Sequence, residues 1–237
     1  MPTYAHSLPD IAAIGRLLGD ESRAAMTLTL MDGRAWTVGE IARHLGIAKS
    51  TATEHAHQLV DGGLLTETHQ GRHRYLRLAG RDVAEAVEAL GALSKTMLPP
   101  GRTLAAGTRD TALRAGRTCY RHLAGTLGVD LLEALHDREI VTRNWLLGPD
   151  GADWFAALGI TPAPSGRPLL RPCLDWTERR DHLAGGYGDA LCDHLLRESW
   201  VTRRGTTRAV RLTDKGRAEL ARLGIDLAST EFSGPAS

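Results

Sequence analysis

Between Lys49 and Gln58 the chain sets Lys49, Ser50, Thr51, Thr53, Glu54, His55, His57 and Gln58 around two alanines, Ala52 and Ala56. Short hydroxyl, amide and imidazole groups at this density are partners for phosphate oxygens and base edges. A helix that needs only solubility would carry Glu and Lys instead. Arg72 and Arg74 follow, in and beside a Gly-containing turn. A second chemical set lies in the other half. Cys119, Tyr120 and His122 lead into an HLAG tetrapeptide, and Cys173, Trp176 and His182 hold similar places at a second HLAG. Thiols and imidazoles ligate metals or respond to redox conditions, and aromatic rings wall organic ligands. The plainer reading is that His122 and His182, equivalent within a repeat, cap a helix or bond a backbone carbonyl.

These residues need elements to hold them. Thr37 can cap a helix N-terminus and Glu40, three residues on, completes a capping box. Val38, Ile41, Ala42 and Leu45 give that helix an apolar face, and Gly46 suits a left-handed end. A second helix is predicted over 49–61, with Ala52, Ala56, Leu59 and Val60 inward and the polar set outward. Gly62 and Gly63 stop it. Residues 64–68 and 73–78 alternate as two strands, with the turn over 69–72. Helix, tight turn, helix and hairpin is a unit whose second helix enters a DNA major groove while the hairpin touches the flanking backbone.

Residues 37–80 resemble the winged-helix regulators of the ArsR/SmtB family. The stretch 8–37 is similar to that family's opening helix pair, with Leu18, Asp20 and Arg23 carrying its L-x-D-x-x-R pattern. The resemblance implies a homodimer on double-stranded operator DNA, with Lys49, Ser50, Thr53 and Glu54 facing bases or phosphates and Arg72 and Arg74 on the wing. The family's usual metal sites do not carry over. The first helix of the motif has no Cys, and the predicted helix over 81–94 offers Asp82, Glu85 and Glu88 but no His. Carboxylates alone suit a transition metal poorly.

Net charge is +1, and residues 1–95 hold ten Lys or Arg against eleven Asp or Glu. A nonspecific coating protein would be basic throughout; here positive charge gathers locally at Arg72, Arg74, Arg77 and Arg81. Three cysteines argue against a disulfide framework and fit a reducing, cytoplasmic setting. No apolar run is long enough for a membrane span. There is no Gly-rich phosphate loop, no G-x-S-x-G elbow and no carboxylate pair on one turn, so no catalytic residue is assigned.

Past residue 94 the pattern changes. The Pro pair at 99–100 marks a boundary. HLAGTLGVDLLEALHDREIVTR from His122 and HLAGGYGDALCDHLLRESWVTR from His182 match at an offset of sixty, without gaps. LGPDGADWFAALGI from Leu147 and LTDKGRAELARLGI from Leu212 match at sixty-five. Each copy reads as helix, Gly turn, helix, strand pair and closing helix.

The expected fold is mainly α with small β-hairpins (α+β): an N-terminal winged helix-turn-helix, then two repeated winged-helix-like modules. The expected boundaries are 1–98, 99–160, a Pro-rich linker 161–172, 173–227 and a tail 228–237. The expected function is a DNA-binding transcriptional regulator, a repressor, controlled by a small organic effector held between the copies by Cys119, Tyr120, His122, Cys173, Trp176 and His182. No metal ligand set and no cofactor is assigned. The alternatives are a metal- or thiol-redox-responsive regulator using Cys119, His122, Cys173 and His182, or an enzyme fused to a DNA-binding domain.

Overall fold

The computed structural model describes residues 8–31, 33–71, 73–94, 96, 104–119, 121–162, 168–204 and 207–227. By its contacts the chain divides after Val87, inside a helix, rather than near 98. The Pro pair used to place the boundary lies outside the described residues.

The first unit runs α1 (Ile11–Leu18), α2 (Glu21–Leu30), β1 (Trp36–Thr37), α3 (Val38–Leu45), α4 (Lys49–Asp61), β2 (Leu65–Gln70), β3 (His73–Leu78) and the opening of α5 (Arg81–Leu93). Its antiparallel sheet has the order β1-β3-β2, with Trp36 opposite Leu76 and Leu65 opposite Leu78. Met26, Leu30, Trp36, Ile41, Leu59 and Leu76 form the core, and the fully buried Ala52 and Ala56 face α4 into it. Alanines at those places leave little bulk between packed helices, which sets α4 firmly on its scaffold.

Local chemistry sets the ends of these helices. Thr37 Oγ1 accepts the Glu40 N–H at 3.2 Å, and the Glu40 carboxylate accepts the Thr37 N–H at 2.8 Å. The Thr37 N–H holds the Glu40 carboxyl below its ordinary range, against the opposing effect of burial. Gly46 ends α3 at φ +70°. Thr37→Ala is expected to cost about 0.5–2 kcal/mol, read as a lowered urea midpoint at unchanged m. Asp20 caps α2 through the Arg23 N–H at 3.0 Å. The Arg23 guanidinium donates to Leu17 O at 2.6 Å, Arg16 O at 2.9 Å and Gln58 Oε1 at 2.7 Å. The family-like Asp and Arg thus knot α1, α2 and α4 together.

The second unit takes up α5 from Glu88 and continues with α6 (Leu104–Ala115), β4 (Arg117–Cys119), β5 (His122–Ala124), α7 (Gly125–Asp137), α8 (Gly151–Ala157), β6 (Arg171–Leu174), β7 (Asp181–Ala184), α9 (Gly186–Arg197), β8 (Val201–Arg203), β9 (Val210–Leu212) and α10 (Asp214–Arg222). β4-β5, β6-β7 and β8-β9 are separate two-stranded sheets. Leu127, Leu131, Leu135, Phe155, Leu191, Leu195 and Leu220 belong to one core. Trp154 and Trp200 are buried in it.

Three sequence expectations need correction here. Each HLAG copy opens with a β-hairpin, not a helix. The two residues between Cys119 and His122 are a hairpin's spacing, so the two face each other across strands. β6 begins at Arg171, inside the stretch expected to be linker. The strand pair of the first copy is a single bridge, Val141 to Leu147, where the second has a ladder from Val201 to Leu212. Glu139 and Ser199, sixty residues apart, share a left-handed backbone at φ +51° and +58°.

Candidate DNA-reading surface and Cys/His centre

Among the expected DNA contacts, Lys49, Ser50, Thr51, Glu54 and His57 are exposed on α4. Thr53 is half-buried, and its hydroxyl donates to Lys49 O at 2.8 Å. His55 and Gln58 turn toward the scaffold instead: His55 Nε2 lies 3.7 Å from Asp20 Oδ1, and Gln58 accepts from Arg23 and donates to Glu54 at 3.0 Å. One face of α4 therefore reads outward while its flank is fastened inward. Arg74 forms an ion pair with Glu67 of the neighbouring strand, which offsets its charge. Arg72 lies outside the described residues.

The second site is assembled by two hairpins. Cys119 stands opposite His122 in β4-β5, and Cys173 opposite His182 in β6-β7. All four come together, with one ligand atom from each within 4.8 Å of the others. The two sulfurs are 3.9 Å apart and the two imidazole centroids 5.0 Å apart. His122 is 3% exposed and His182 1%, and none of their four ring nitrogens has a well-formed hydrogen bond. A buried polar atom without a partner is costly, so such a pair marks a built site.

Carboxylates stand behind both rings. Asp175 Oδ2 is 3.3 Å from His182 Nδ1, and Asp189 Oδ1 is 3.5 Å from His122 Nδ1. Burial alone would lower the His182 pKa, but Asp175 and Cys173 raise it to about 9. The same opposition, with Asp189 and Cys173 outweighing burial, raises His122. Proton sharing between the thiols, with burial, pushes Cys119 up; that sharing and the two imidazoles hold Cys173 well below the usual thiol range. Cys119 also donates to Glu88 of α5, whose other oxygen lies 3.3 Å from Arg208 Nη1.

Asp175 is itself pinned. It accepts from Gly125 N at 2.6 Å, Thr177 N at 2.9 Å and Thr177 Oγ1 at 2.7 Å, and from Arg117 Nη2 at 3.0 Å. The Arg117 guanidinium lies 5.0 Å from the Trp176 ring centroid. Trp176, half-buried, therefore packs on this ion pair. Tyr120 lies outside the described residues. Where the two copies meet, Leu123, Leu131, Leu183, Leu191, Gly128, Gly188 and Cys192 line a cavity of about 10 Å³, scarcely room for one water.

Asp175, Asp189, Glu88 and Arg117 were not assigned to the site from sequence. Asp189 in particular reads as a solvated acid of α9, and nothing within α9 signals its partner. The available clue for the whole centre was repetition, since each HLAG histidine is preceded by a cysteine.

A winged helix-turn-helix with an outward polar face on α4 defines the class: DNA-binding transcription regulators. Residues 18–68 match the family described as a helix-turn-helix domain. The uncharacterized HTH-type transcriptional regulator YdfF of Bacillus subtilis is 38% identical over 215 residues, spanning 88% of this chain and 94% of that protein. The HTH-type transcriptional regulator CmtR of Mycobacterium tuberculosis is 34% identical over 80 residues, 34% of this chain and 67% of CmtR. An NMR structure of that protein, described as a cadmium metal-sensor, shares 32% identity over 38% of this chain and 88% of its own, with a TM-score of 0.31. The chain belongs to the ArsR/SmtB-type winged helix-turn-helix transcriptional regulators. The likeness to YdfF extends through the second unit, whereas that to CmtR is confined to about a third of the chain. Among the described residues, no helix is long and apolar enough to cross a membrane.

Proposed function

We propose that the protein represses transcription as a homodimer on operator DNA. The exposed face of α4 enters the major groove and the β2-β3 hairpin lies on the flanking backbone. The second unit is a duplicated module that receives the controlling signal at the Cys119, His122, Cys173 and His182 centre. One observation carries the sensing half of this reading: four chemically reactive side chains from two repeat-equivalent hairpins converge, three buried and Cys173 half-buried, with no well-formed hydrogen bond at the imidazole nitrogens. The signal has a route by chain continuity. α5 begins in the first unit and ends in the second, where Glu88 meets Cys119 and Arg179 donates to Ala92 O at 3.2 Å. Dimerisation is supported by α1, which leaves Ile11 76% exposed, and by the end of α5, with Leu93 78% exposed.

The test of the DNA half is selection from random duplex, followed by gel retardation. A palindromic site is expected, and Ser50→Ala with His57→Ala should cost about 1–3 kcal/mol of discrimination for each base edge no longer read. Lys49→Ala should weaken all duplexes alike and flatten the salt dependence. Arg74→Ala, its charge already offset by Glu67, should change little. No sequence enrichment over random duplex would overturn the reading.

A further inference from the structure

We propose that Cys119, His122, Cys173 and His182 form a closed tetrahedral site for a divalent metal ion of the zinc class, one per chain. This names the signal for the centre and rests on the functional reading above. Two thiolates and two imidazoles are the donor set that such borderline-soft ions prefer. Distance separates this from the other uses of paired thiols. Sulfurs bound at ~2.3 Å in a tetrahedron stand ~3.8 Å apart, whereas a disulfide brings them to ~2.05 Å. The observed separation is 3.9 Å. The surroundings agree independently. Each imidazole has a carboxylate oxygen behind Nδ1, Asp175 at 3.3 Å and Asp189 at 3.5 Å. Carboxylates in that position orient metal-ligating histidines and raise their basicity.

Charge and closure define the ion further. Two thiolates and two neutral imidazoles balance a 2+ cation, so the loaded centre is neutral, as its burial requires. Binding forms two metal–sulfur and two metal–nitrogen bonds and releases the ligands' protons to solvent. Four protein ligands complete a tetrahedron, so the site holds the metal and joins the two hairpins rather than activating a water. Cys192, also buried, packs among leucines at the cavity between the copies and takes no part.

The experiment uses the full chain, reduced, stripped with a chelator and titrated with Co2+ as probe, then with Zn2+. One Co2+ per chain is expected, with the intense visible absorption of tetrahedral cobalt–thiolate coordination, and Zn2+ should displace it. Cys173→Ser and His182→Ala should weaken Zn2+ at least 100-fold, whereas Cys192→Ser should not. Because the ligand variants risk misfolding, Asp189→Asn offers a milder check: about 10–100-fold weaker metal with an unchanged circular dichroism spectrum. Octahedral cobalt spectra, substoichiometric binding or unaltered affinity in the ligand variants would overturn the site. Operator retardation run in parallel separates the two proposals: metal binding without operator binding leaves the site standing and removes the repressor, and the reverse removes the metal.

Discussion

Arg117→Ala will destabilise the second unit by about 3–5 kcal/mol, the usual consequence of removing one partner of a buried ion pair. Arg117 and Asp175 are 1% and 0% exposed, and the guanidinium meets both carboxylate oxygens at 3.0 Å. Without it, the carboxylate keeps its Gly125 and Thr177 donors but no longer has its nearest cation. The guanidinium also reaches Leu113 O and Thr177 Oγ1 at 3.3 Å and stacks on Trp176, so packing goes along with charge. Urea unfolding followed by tryptophan fluorescence reads the effect, since Trp154, Trp176 and Trp200 all lie in this unit. A loss under about 1 kcal/mol would place the pair among weak, solvent-screened interactions and contradict its burial. The centre should respond too, because Asp175 positions His182.

Gly125→Ala and Gly185→Ala will each cost at least about 2 kcal/mol, with two effects combined. Both glycines have positive φ, +72° and +91°, a region that costs a residue bearing a Cβ about 1–2 kcal/mol. Both also lie against backbone. A Cβ on Gly125 would stand 2.4 Å from Arg114 O, and one on Gly185 2.7 Å from Leu169 O, atoms that cannot swing aside. Gly159→Ala separates the effects, since that residue has φ +67° but open space around its would-be Cβ. It should show only the conformational cost. Thermal melts of the three variants make the comparison, and equal losses would mean that the carbonyls yield. These glycines follow the site histidines by three residues, so the two damaging variants should also weaken metal binding.

The first unit was legible because its determinants are local. Thr37 and Glu40 close a cap within one turn, Gly46 supplies the left-handed end, and Ala52, Ala56 and Leu59 fall on one face by helical period alone. The bounds of α4 and β3 follow from such features without reference to the rest of the chain. Legibility ended where a side chain's partner was remote. Gln58 and His55 look like further groove contacts by composition, yet Arg23 and Asp20, more than thirty residues earlier, hold them.

The second unit shows the same divide more sharply. The HLAG copies and their spacing are visible in the sequence, but Cys119-x-x-His122 fits either a helical turn or a hairpin, and local pattern does not choose between them. Pairing of β4 with β5 chooses, by placing Cys119 directly across from His122. What the sequence by itself determined is the DNA-reading half, where caps, glycines and apolar period act over a few residues. What only the tertiary structure decided is the Cys/His centre. Its sulfurs are 54 residues apart in the chain, and Asp189 of α9 stands 67 residues after the His122 it faces. A ligand set assembled from remote segments exists only once the core that brings them together has formed.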